Sequence, residues 1–113
     1  MEDEELKARI EEWKSKYGAN KVKQIEIPLD DEGKATLKVI AHVPSLKVMN
    51  EWEKFLDKNP LKAKEIIVKN CLLTGVDKIY SEKNDIIDDE LFMNVYLALT
   101  ELMPIRKSLI KNL

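Results

Sequence analysis

Cysteine is nearly missing from this chain of 113 residues: Cys71 stands alone, so no intramolecular disulfide can form and the fold must rest on its core. That usage fits a reduced, cytoplasmic compartment. Histidine is as scarce, with His42 alone, so a histidine metal site or a nucleophile and base pair lacks its usual partners. The three glycines, Gly18, Gly33 and Gly75, stand singly, which excludes a glycine-rich loop that cradles phosphates. No apolar run approaches the ~20 residues of a membrane span. The opening MEDEELKARI has no apolar core of a signal peptide and no transit-peptide character. Neither sign of charge dominates: 19 Lys and Arg face 21 Asp and Glu, and the lysines are scattered. Without a basic stripe, nucleic acid is not expected as the main partner.

What is present is a composition of 44% hydrophobic and 35% charged residues, within the range of one domain spanning 1–113. A chain of this size buries roughly two-thirds of its unfolded surface. The first segment places Leu6, Ile10, Trp13 and Tyr17 at spacings of four, three and four, a narrow helical stripe on a charged helix. Its acidic first turn complements the helix dipole, and Gly18 is expected to end it.

The period then changes to two. Ile25, Ile27 and Leu29 alternate with polar residues, as do Ala35, Leu37, Val39, Ala41 and Val43. One apolar face requires Leu29 opposite Ala35, Ile27 opposite Leu37 and Ile25 opposite Val39, because a slip of one residue would expose a whole set. Asp31-Glu32-Gly33 becomes the loop of a β-hairpin, closed by a left-handed Gly33. Glu26 then faces Lys38, and Pro28 marks an edge strand because it cannot donate a ladder bond. The same register puts Val22, Ile40 and His42 on the outer face, where either the first helix covers them or they form a small exposed apolar patch.

Pro44 to Gly75 organises the rest. Ser45 is the expected N-cap of a helix presenting Val48, Met49, Trp52, Phe55 and Leu56. Asn59 caps the next helix, with Pro60 at its first position, where a missing N–H costs nothing. The short connection makes the pair an αα-hairpin. Ala63, Ile66, Ile67, Val68, Cys71 and Leu72 cover more than half of the second helix, which marks it as central. Val76 to Asn84 reads as a polar loop carrying Ile79-Tyr80. Asp85 or Asp88 opens a last helix with Leu91, Phe92, Val95, Leu99, Leu102 and Met103 in register, kinked at Pro104 before Ile105, Leu109 and Leu113. The expected class is α+β.

No catalytic, metal or cofactor constellation stands out, and no cofactor is expected. Cys71 lies on an apolar helical face, where a thiol behaves as a small buried group. Asp85, Asp88, Asp89 and Glu90 lack the glycine and spacing of a calcium loop and are explained by helix capping. The apolar residues beyond a first core layer form the candidate partner surface: Tyr96, Met103, Ile105, Leu109 and Leu113 at the C-terminal end, and Val22, Ile40 and His42 on the hairpin.

Residues 13 to 75 resemble a family, the small tail assembly chaperones of long-tailed bacteriophages and prophages. The resemblance consists of Trp13 and the Tyr17-Gly18 pair, a hairpin, Pro44-Ser45-x-Lys47, Phe55, Asn59-Pro60, Ile66-Ile67, Asn70-Cys71, Leu73 and Gly75. It implies a non-enzymatic helper in the cytoplasm of the infected cell. Such a helper binds the tape measure protein through apolar surface and delivers it to tail-tube subunits, and weak self-association is compatible with that role. The competing expectation is a small phage regulatory or host-inhibiting module that binds a folded partner through the hairpin edge.

Overall fold

The computed structural model describes residues 3–103. Among them the elements run α1 (Asp3–Tyr17), β1 (Val22–Pro28), β2 (Thr36–His42), α2 (Leu46–Phe55), α3 (Pro60–Cys71), α4 (Val76–Ile79) and α5 (Asp89–Thr100), an α+β arrangement. Pro104, Ile105, Leu109 and Leu113 lie outside the described residues, and with them the expected kink.

The hairpin has the register demanded by its apolar alternation: Ile25 faces Val39, Ile27 faces Leu37 and Glu26 faces Lys38. The Leu29 N–H bonds to the Ala35 carbonyl at 2.8 Å. In the turn, the Asp30 carboxylate accepts from the N–H groups of Lys34 and Ala35 at 2.9 and 3.1 Å, so its role is that of a turn residue. Gly33 closes the turn at φ +68°, the left-handed conformation that favours glycine.

The caps fall where local chemistry puts them. Ser45 Oγ accepts from the Val48 N–H, Asn59 Oδ1 from Lys62 and Asp88 Oδ1 from Leu91. Each such cap is worth about 1 kcal/mol. Asp88, rather than Asp85, opens α5.

One cluster of buried side chains joins the inner face of the hairpin (Ile27, Val39, Ala41) to α3 (Ile67, Val68, Cys71) and α5 (Phe92, Val95, Leu99). Helix α3 is central, as its wide apolar face predicts, with Ala63, Ile67, Val68 and Cys71 all buried. Helix α2 packs on α3, and Val48, Met49 and Trp52 lean against the cluster without being fully buried.

Two features depart from the sequence reading. Helix α3 ends at Cys71, and the chain then turns alongside β2. The N–H groups of Leu73 and Thr74 donate to the Ile40 carbonyl at 2.8 and 3.2 Å, and the Ile40 N–H donates to Thr74 Oγ1 at 2.8 Å. This segment occupies part of the β2 edge, leaving β1 at the other side of the sheet. The stretch expected as a polar loop instead contains α4, with Ile79 fully buried and Tyr80 bridged to Ile86. Two apolar residues are too few to show a period, yet they reach the core between α3 and α5.

Candidate binding clefts

The outer face of the hairpin decides what can be bound there. Helix α1 crosses it, and the Tyr17 ring stacks on His42 with centroids 3.9 Å apart and planes 11° from parallel. His42 is further held by two carbonyl oxygens, Asn70 O at 2.6 Å from Nε2 and Val43 O at 3.0 Å from Nδ1. It therefore has a structural role joining α1, β2 and the end of α3.

This arrangement corrects much of the expected partner surface. Ile40 and His42 are only 6% and 5% exposed, because α1 and Leu73-Thr74 cover them, and Val22 is half-buried. Tyr96 and Met103 are 7% and 8% exposed and belong to the core cluster. Tyr96 turns inward because its hydroxyl accepts a hydrogen bond from Trp52 Nε1 at 3.1 Å, tying α5 to α2. These four do not form an open surface, and Ile105, Leu109 and Leu113 lie outside the described residues.

What α1 leaves open are two clefts on its flanks. The first, about 680 Å³, lies between the N-terminal half of α1, the hairpin and the Leu73–Lys78 segment. Its apolar wall is Leu6, Leu37, Ile40, Leu73 and Val76, and its rim carries Arg9, Gln24, Lys38, Asp77 and Lys78. Helix α1 has no buried residue at all, so Leu6 meets solvent in this cleft rather than a packed core. Val76 is 41% exposed beside it. Of the cleft's apolar wall, only Ile40 belonged to the expected surface. Leu6 carried a signal in the narrowness of its stripe on a charged helix, whereas Leu73 and Val76 had none.

The second cleft, about 730 Å³, lies at the other end of α1, between Tyr17, Val43-Pro44 and the start of α2. Leu46, Val48 and Met49 supply apolar surface, and Lys16 and Lys21 stand over it. Leu46 is 71% exposed, higher than the other exposed large apolar residues described.

Among the described residues, no group of three or more His, Cys, Asp or Glu side chains is placed to hold a metal ion. Burial pushes the Cys71 thiol up to about 12, which keeps it protonated and unreactive in the fold. No helix among the described residues is long and apolar enough to cross a membrane. Compared with known proteins, the chain matches no family model, no curated protein and no solved structure.

Proposed function

We propose that this protein is a non-enzymatic tail assembly chaperone of a long-tailed phage or prophage, and that it takes an apolar helical segment of the tape measure protein into the cleft between α1, the hairpin and α4. The observation that carries the binding mode is the cleft itself: five apolar residues from three segments, α1, β2 and Leu73–Val76, line it, with charged residues at the rim. An apolar floor with a polar rim is the ordinary construction of a groove that receives an amphipathic helix. The family assignment rests on the resemblance over residues 13 to 75, whose capping and packing residues shape the walls of both clefts.

The test is co-expression with the tape measure protein of the same genome. The expected result is that the tape measure protein stays soluble and co-purifies, and that Leu6→Ser combined with Val76→Glu abolishes both effects while the fold persists. An unchanged insoluble fraction, with no co-purification, would overturn the proposal.

A second reading is favoured by one specific feature. The bonded pairs Lys21–Val43 and Leu29–Ala35 set the parity of the ladder, so the backbone groups of Val22, Gln24 and Glu26 point away from β2. Among the described residues these groups have no hydrogen-bond partner outside the strand. A regulatory module could add a partner strand there. Gln24→Pro removes an outward donor without touching the β1–β2 ladder, so loss of partner binding in a folded variant identifies the edge as the site.

A further inference from the structure

The second cleft differs from the first in its electrostatics. Its lining contains Lys16, Lys21, His42 and Asn70 among apolar groups, and no carboxylate. The ion pairs among the described residues involve Lys14, Lys34, Lys38, Lys54 and Lys69, so among those residues Lys16 and Lys21 have no acidic partner within 4.0 Å. Lys16 instead stands 5.2 Å from the centroid of the Tyr17 ring, which positions its ammonium group at the cleft. Helix α2, ten residues long, opens at the same cleft with Ser45 as its cap and no acidic residue in its first turn. The positive end of its dipole therefore lacks the side-chain complement that α1 and α5 carry in theirs. Two ammonium groups without an acidic partner among the described residues, a helix terminus with no acidic first turn and the protruding Leu46 converge on one concave surface.

We propose that this cleft is a docking site for an acidic, amphipathic segment of a partner protein, which lays an apolar side chain against Leu46 and Met49 and presents carboxylates to Lys16 and Lys21. Charge complementarity selects this occupant: a basic or neutral apolar segment would fill the same space but leave both ammonium groups facing like charge or nothing. The site is separate from the cleft assigned to the tape measure segment, so one can fail without the other. His42 and Asn70 already bond to one another at its floor, which makes the floor rigid and leaves recognition to the two lysines and Leu46.

The test uses the full chain and two synthetic helical peptides, one built of leucine and glutamate and the other with every glutamate replaced by lysine. Binding is read by fluorescence anisotropy, and the site by backbone amide shifts. The acidic peptide is expected to bind, to weaken with added salt and to shift the amides of Lys21, Leu46 and Asn70. Lys16→Glu with Lys21→Glu should weaken it by about tenfold or more, the neutral Lys16→Gln with Lys21→Gln variant by less, and Leu46→Ser should also weaken it. Lys16, Lys21 and Leu46 are exposed, so these variants keep the fold. Equal affinity for both peptides, indifference to the lysine substitutions, or shifts confined to Leu6, Leu37 and Val76 would each overturn the proposal. So would sedimentation showing that a second copy of the chain already covers Leu46.

Discussion

Tyr17 closes over His42 in a parallel stack 3.9 Å deep, and this contact ties α1, which has no buried residue, to the hairpin. An aromatic stack contributes about 0.5–1.5 kcal/mol beyond the area it buries. Tyr17→Ala is therefore expected to release α1 while the core persists. Hydrogen exchange should show faster exchange through residues 6–17 and little change in α3 and α5. Uniform acceleration across the chain would mean instead that α1 is integral to the cooperative core.

The bond from Trp52 Nε1 to Tyr96 Oη spans 44 positions in sequence and joins α2 to α5. A net contribution of about 0.5–1.5 kcal/mol is expected for it. Trp52→Phe and Tyr96→Phe, taken singly and together in urea unfolding, should give a coupling energy in that range, and a coupling near zero would show that the bond adds nothing net.

Gly75 and Gly33 both lie at positive φ, +82° and +68°, but their surroundings differ. A Cβ on Gly75 would stand 3.0 Å from Val39 Cγ1 in the core, whereas one on Gly33 would meet nothing within 4 Å. Gly33→Ala should cost only the left-handed backbone strain, about 1 kcal/mol, and Gly75→Ala about 2–3 kcal/mol because a buried valine must also move. Thermal unfolding of the two variants checks the order. Equal melting temperatures would contradict the packing argument.

Two buried acids govern the response to alkali. Burial raises the Cys71 thiol from 9.0 to about 12. For Tyr80, burial first and then the Glu65 carboxylate push the hydroxyl upward. Glu65 acts on it through charge and proximity, although Tyr80 Oη lacks a hydrogen-bond partner of good geometry. For a pKa raised on folding, the stabilising term is intact below the unfolded value. Above about pH 9 the unfolded chain gives up protons that the folded chain keeps, so stability falls with rising pH, by up to about 1.4 kcal/mol per pH unit per group. Denaturant midpoints should decline between pH 9 and 12, and Cys71→Ala should flatten that decline. Tyr80→Phe removes an unpartnered buried hydroxyl, so at neutral pH it should be neutral or stabilising by about 1 kcal/mol. A large loss would reveal a partner for Oη.

Much of the fold was legible in the sequence because it is written in local chemistry. The pairing of Ile25 with Val39, the turn at Asp30–Gly33 and the caps at Ser45 and Asn59 each depend on residues a few positions apart or on an alternation that tolerates no slip. The candidate surface was less legible. Ile40, His42, Tyr96 and Met103 are apolar or amphipathic residues whose exposure depends on what lies across from them, and their spacing carries no record of that.

The sequence by itself therefore determined the elements other than α4, the register of the hairpin and the central place of α3, since hydrophobic period, turn residues and caps act within one segment. Only the tertiary structure decided that α1 crosses the hairpin through Tyr17 and His42, that Leu73-Thr74 closes on Ile40, and that clefts open on either side of α1. Those outcomes depend on contacts between segments far apart in the chain, where burial and hydrogen bonding are settled jointly and no local pattern specifies the partner.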